Sequence, residues 1–311
     1  MRLRLPLVLL LLAIFARADV ISDVRSALTQ GNLPAAESIV SAYQASNGTT
    51  SEYAEAASWI ARAALAAKQL ALADTYAGNA RSAAVQLLKS HELDSDPHLC
   101  IAMGAAIEVH AGVLAAQGRR AQALASLKAA LQTYRNTSIA SRIQKNINVL
   151  TLVGRPAPPL QEAQYIGARP KPLAQLKGSA VLLFFWAHWC PDCKLEGPIV
   201  TRLKTEYGLR GLTIIAPTQL YGSAAYGEPA SPKSEMGWID AVRQRFYSGL
   251  LDVPVPVSKA NFDAYGASTT PTIVVINTKG VVDLYHPGAM PYDDLRAAIE
   301  KALGAAASGR R

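Results

Sequence analysis

The sequence predicts two architectures in one chain: an all-α region of helical hairpins over residues 19–150 and an α/β sandwich with a mixed sheet over residues 173–303. Three observations carry this. Residues 20–150 are rich in Ala, Leu, Gln and Arg, nearly free of proline and without strand-like alternation, a composition that favours helix. Residues 151–172, TLVGRPAPPLQEAQYIGARPKP, hold five prolines and mark an extended linker and domain entry. Beyond them, short apolar runs alternate with helical patterns and end in a hairpin.

The N-terminus reads MRLRLPLVLLLLAIFARADV. Arg2 and Arg4 precede an apolar run from Leu5 to Phe15, and Ala16-Arg17-Ala18 supplies the small-x-small pattern of a cleavage site. That is the order of a secretory signal peptide over residues 1–18, cleaved after Ala18. The chain is therefore expected in an extracytoplasmic compartment such as the periplasm. The run has 11 residues, against the roughly 20 that span a bilayer. An uncleaved N-terminal anchor is the alternative, and no later stretch is expected to be long and apolar enough to span a membrane.

Within the helical region a faint repeat is visible. Gly31 is followed by Ala36, Val40 and Tyr43; at the same offsets Lys68 is followed by Ala73, Ala77 and Ala80, and Gly118 by Ala123, Leu127 and Ala130. A turn residue thus opens a second helix whose small residues allow close packing on the first. GRRAQALASLKAAL (118–131) resembles the second helix of a tetratricopeptide repeat, but the turns lie 37 and 50 residues apart rather than a steady ~34. A plain Ala-rich bundle is the competing reading. A repeat array would offer a concave surface to a protein partner.

Past the linker, SAVLLFFWA (179–187) reads as a fully buried strand and LTIIA (212–216) as a second. A helix is expected over 236–248, then an extended VPVPVS (253–258). TIVVIN (272–277) and VVDLY (281–285) flank a turn at Asn277–Gly280, and a closing helix starts near Asp293 and runs through Leu295, Ile299 and Leu303. Residues 304–311 read as a frayed tail.

The formal charge of +8 is dispersed. Three of its cations lie in the first 18 residues, and the remainder holds 28 basic against 23 acidic side chains with no Lys/Arg cluster, which argues against a nucleic-acid face. Only three cysteines occur, Cys100, Cys190 and Cys193, too few for a disulfide-stapled scaffold. Cys100 is expected as a small buried hydrophobe. His98 and His110 have no partnering ligands, so no metal site is read there, and no cofactor is expected.

Cys190 and Cys193 stand out in FFWAHWCPDCKLEGP (184–198). A zinc ribbon needs a second Cys/His pair at ligand spacing, which the sequence does not contain. A structural disulfide over two intervening residues closes too small a loop to restrain the unfolded chain much. The spacing favours reversible dithiol/disulfide chemistry, with Cys190 at a helix N-terminus where unsatisfied N–H groups stabilise a thiolate. Cys193, one turn in, can attack a mixed disulfide. Glu196, one turn further, could exchange protons with that thiol; otherwise it is a solvated helix acid. Thr270-Pro271-Thr272 before an apolar strand is a turn in which a cis proline is plausible.

This W-C-x-x-C-x-x-E-x-P run, the later TTPTIVVIN and the order of elements resemble the thioredoxin fold, closest to the TlpA family of exported thiol-disulfide oxidoreductases. The likeness spans roughly residues 155–303. It implies Cys190 as attacking thiol, Cys193 as resolving thiol and Pro271 as the cis-proline facing them after Thr270. Trp189, Pro191, Asp192 and Thr270 would position the substrate. Protein thiols and disulfides are the implied substrates, with a membrane electron donor if the protein is a reductant. Two departures matter. Phe184 stands where many thioredoxins carry a buried carboxylate, leaving proton transfer to Glu196, water or substrate. Asp192, an anion between the cysteines, should disfavour the Cys190 thiolate and tilt the pair towards reductant or isomerase. Lys194 and His188 could offset it, although a half-exposed loop histidine is the commoner case. Tyr221, Tyr226 and Trp238, in a Gly/Pro/Ser-rich segment over 217–238, could contact a peptide; a disordered insertion is the alternative. Rival functions are a peroxide-reducing redoxin and a binding scaffold with incidental thiols.

Overall fold

The computed structural model describes residues 19–304; the expected signal peptide and the tail beyond Gly304 lie outside the described residues. Contacts gather into two compact units that divide between Val109 and His110. That division lies well before the compositional boundary near residue 150.

The first unit is helical: α1 (Val20–Thr29), α2 (Leu33–Asn47), α3 (Ser51–Ala66), α4 (Leu70–Leu87) and the start of α5 (Pro97–Ala116), which continues past the division. Asp19, Asn32 and Thr50 cap the first three helices by accepting the N–H groups of Ile21, Ala35 and Tyr53. The expected turn residues do turn the chain, Gly31 at φ 71° and Lys68 at φ 60°. For lysine this left-handed conformation costs roughly 1–2 kcal/mol. The alanines at the repeat offsets, Ala36, Ala73, Ala77 and Ala80, are all buried, so helices meet through methyl groups around Val24, Val40 and Ile60. α5 corrects one expectation: it is long and apolar enough to cross a membrane, yet most of it is buried within the protein as a core helix.

The second unit takes in α5 from His110 onward, then α6 (Arg120–Tyr134) and α7 (Ala140–Thr151). There follow β1 (Tyr165–Ile166), β2 (Ala180–Phe185), α8 (Pro191–Tyr207), β3 (Leu212–Ile215), α9 (Pro232–Phe246), β4 (Val255–Pro256), α10 (Lys259–Tyr265), β5 (Thr272–Ile276), β6 (Val282–Pro287) and α11 (Tyr292–Ala302). The sheet order is β3-β2-β5-β6, with β2 parallel to β3 and antiparallel to β5, which is in turn antiparallel to β6. β2 is central, which is why its sequence is apolar at every position. Its alternate residues feed two cores. Leu182 and Phe184 pack with Val200 and Leu203 of α8, Ile239 of α9 and Ile299 of α11. Val181, Leu183 and Phe185 pack on the other face with Phe262 and Tyr265 around α10. Each such side chain contributes about 1.5–3 kcal/mol on burial.

The proline-rich stretch is extended but bound into this unit. Gly154 donates to Val282 O at 2.8 Å and Ala157 to Gly280 O at 3.0 Å. Gln161 exchanges two hydrogen bonds with the Asn261 amide, and Tyr265 donates its hydroxyl to Pro158 O at 2.6 Å. Prolines suit this route along a sheet edge because the segment needs few ladder donors.

Candidate active site

β2 delivers the chain into the loop Trp186–Trp189. The indole of Trp186 donates to Ala216 O at 3.0 Å and the Thr218 hydroxyl donates to Trp186 O at 2.8 Å, fixing this loop at the end of the sheet. Cys190 is then the N-cap of α8, with Pro191 at the first helical position, where its fixed φ and missing N–H cost nothing. The Cys190 sulfur accepts the backbone N–H of Cys193 at 3.0 Å. A helix N-terminus is thus aimed at this sulfur, which favours a thiolate there.

Cys190 and Cys193 form a disulfide, and both are buried. Facing it, the Thr270–Pro271 peptide is cis, and the Thr270 carbonyl oxygen lies 3.4 Å from Cys190 Sγ. As a reduced thiol, Cys190 would find that carbonyl as a hydrogen-bond acceptor. Pro271 in turn accepts the N–H of Gly288 at 2.8 Å, tying the cis turn to the end of β6. Trp189, 53% exposed, leaves an apolar surface beside the cysteines, and Asp192 and Pro191 are exposed in the first turn of α8.

Glu196 is not a solvated acid. It is 2% exposed, its Oε2 accepts the Met290 N–H at 3.1 Å, and its Oε1 has no hydrogen-bond partner among the described residues. Burial pushes its pKa up, partly opposed by the Met290 amide. Phe184 fills the place of the missing second carboxylate with a ring packed edge-on to Tyr247.

His188 also departs from expectation. It is buried, with Nε2 3.3 Å from Glu235 Oε1 and its ring against Tyr221. Desolvation holds its pKa down; Glu235 opposes this, so the imidazole favours its neutral form. Glu235, fully buried on α9, accepts the N–H groups of Tyr221 at 2.6 Å and Gly222 at 2.8 Å. It thereby fastens the 217–231 loop, which is ordered by its own bonds as well, among them Ala224 N–H to Glu228 O at 2.8 Å. Glu235 escaped the sequence analysis because it lies before the helix expected over 236–248, and nothing in its own neighbourhood marks its contact with the Tyr221 and Gly222 amides. Cys100 is only half-buried and donates to Leu93 O at 3.2 Å, so it is not the small core hydrophobe expected.

Fold and site define a thioredoxin-like protein with a dithiol/disulfide pair at a helix tip. A family model described as a thioredoxin-like domain matches residues 172–303. The thiol-disulfide oxidoreductase ResA of Oceanobacillus iheyensis is 30% identical over 157 residues, covering 49% of this chain and 73% of that protein. ResA of Halalkalibacterium halodurans is 32% identical over 121 residues, where the match spans 38% of this chain and 59% of the relative's length. A solved thioredoxin-family thiol:disulfide interchange protein from Chlorobium tepidum aligns at 22% identity and TM-score 0.38, over 49% of this chain and 97% of its own. The chain belongs to the TlpA-like thiol-disulfide oxidoreductases of thioredoxin fold.

Proposed function

We propose that this protein is an extracytoplasmic enzyme that exchanges disulfides with protein substrates through a mixed disulfide at Cys190, working as a reductant or isomerase. The observation that carries the reading is the Cys190–Cys193 disulfide at the α8 N-terminus, with the Cys193 amide donating to Cys190 Sγ. In the reducing direction the Cys190 thiolate attacks a substrate disulfide. One sulfur bonds to Cys190, and the other leaves as a thiolate and takes up a proton. Cys193, deprotonated, then attacks Cys190 Sγ; the second substrate sulfur leaves, and the protein is oxidised by two electrons as the substrate is reduced. Glu196, whose raised pKa and unpartnered oxygen suit proton exchange, serves the Cys193 proton. Trp189, Pro191 and the Thr270–Pro271 turn position the substrate chain beside Cys190.

The direction rests on charge. Asp192 opposes the Cys190 thiolate, and a neutral His188 does not compensate, so the pair is less oxidising than one with a cation at that place. Regeneration consumes two electrons from an external dithiol, supplied across the membrane by an electron donor if the N-terminal segment directs export. The helical hairpins of the first unit would present a partner-binding surface.

Dithiol-driven insulin reduction tests the activity. Cys190→Ser should abolish it with the thermal unfolding curve retained, and Cys193→Ser should accumulate mixed disulfides with substrate. Wild-type inactivity alongside intact folding would favour a scaffold role. A reduction potential near those of strong oxidants, about −120 mV, would reverse the proposed direction.

A further inference from the structure

We propose that the groove beside the disulfide selects substrate segments in which the reactive cysteine is flanked by acidic residues. This rests on the disulfide-exchange reading and specifies its substrate class. The groove is an open cleft of about 580 Å³, within the ~300–1,000 Å³ usual for ligand-binding clefts. Its lining includes Trp189 and Lys194, each adjacent in sequence to a site cysteine, Ala224–Gly227 of the loop, and Trp238 and Arg245 of α9.

Three observations fix its chemistry. First, the loop is built before any ligand arrives: Glu235 accepts the Tyr221 and Gly222 amides, and Ala230 N–H closes the loop on Gly222 O at 3.0 Å. Second, at its lip Tyr226 holds φ 56° with its side chain fully exposed. A bulky residue in the left-handed region is strained, and here nothing in the fold is packed by that ring. With Trp189 and Trp238 it offers aromatic surface to an incoming chain. Third, the groove is cationic. Lys194 Nζ lies 4.7 Å and the Arg245 guanidinium 5.2 Å from the centroid of the Phe246 ring, which holds both cations in place. Among the described residues neither cation is in an ion pair, and no carboxylate lines the groove. The buried Glu235 accepts two backbone amides and is not in the lining, and Asp192 is exposed outside the lining. Two unpaired cations beside an aromatic ring fit an acidic polypeptide; a basic one would meet repulsion with no carboxylate in the groove lining to offset it.

The test uses a pair of peptides, each carrying the same disulfide-linked leaving group on one cysteine, flanked by glutamates in one and by lysines in the other. The reduced full-length protein should exchange with the acidic peptide roughly tenfold faster at low salt, and the advantage should shrink towards unity at high salt. Arg245→Glu should reverse the preference and Lys194→Gln should halve it or more; taking the ratio within each variant cancels any change in thiol reactivity. Equal wild-type rates, or a preference indifferent to both substitutions, overturns the proposal. Binding of the same peptides with serine in place of cysteine, followed by tryptophan fluorescence, separates the two levels. Acidic-selective binding without exchange keeps the groove assignment and sinks the redox reading; exchange without acidic-selective binding does the reverse.

Discussion

Glu196 shows how a side chain's chemistry depends on contacts that its own neighbourhood does not specify. Its spacing from Cys193 was legible, but its burial was not, because the lid over it comes from Met290, 94 residues later. The same holds for His188, whose burial depends on Glu235 of α9. Cys190, Cys193 and Pro271 were legible because one contiguous motif and one strand-entering turn hold their whole chemical argument. The raised pKa of Glu196 has a definite sign for stability. The folded protein holds this proton more tightly than the unfolded chain, whose glutamate titrates near 4.3. The contribution is therefore fully present below about pH 4 and is lost as pH rises through the folded-state value. Glu196→Gln, which keeps an acceptor for the Met290 N–H, should match the wild type in urea midpoint at pH 4 and exceed it at pH 8. A midpoint lower at pH 8 would mean that the carboxylate is ionised and favourably held.

At the scale of elements, the four strands of the main sheet were read within about two residues, since apolar runs bounded by turns leave little freedom, whereas β1, inside the stretch read as a linker, and the short α10 were not anticipated. Helix α9 starts at Pro232 rather than near 236, because Ser231 caps it by accepting the Ser234 N–H. What no periodicity revealed is how closely α8 approaches the chain after α9. A Cβ on Gly197 would stand 2.7 and 2.8 Å from ring carbons of Tyr247, a buried side chain locked edge-on between Phe184 and Trp186. Two effects oppose each other in Gly197→Ala. Helix propensity favours alanine by about 1 kcal/mol. Overpacking costs about 1–3 kcal/mol, and Tyr247 has no room to yield. Packing should win, with a net loss of about 1 kcal/mol in urea unfolding and a weaker hold on the helix that carries both cysteines. A gain in stability would show that the ring relocates freely.

For the whole molecule, composition and contacts place the boundary differently, and the reason is physical. Residues 110–150 are as helical and alanine-rich as those before them, so nothing in their texture assigns them to the second unit. Their contacts do. α7 lies against α10 and β6, and the Asn148 amide donates to Ala264 O at 3.3 Å. Gly266, at φ +59°, brings α10's end so near α7 that a Cβ there would fall on the backbone of Gln144 and Lys145. The face of the sheet remote from the disulfide is thus covered in part by a helix that sequence texture assigns elsewhere. A fragment of residues 151–311 would keep every residue of the CxxC site yet bare this side of α10. It should unfold at least about 2 kcal/mol more easily than a fragment of residues 110–311, because removing α7 returns apolar area on both partners to water. Insulin reduction per folded molecule should be the same in both fragments, since α7 contributes nothing to the site. Equal urea midpoints would return α6 and α7 to the helical region and make residue 151 the true start of the redox domain.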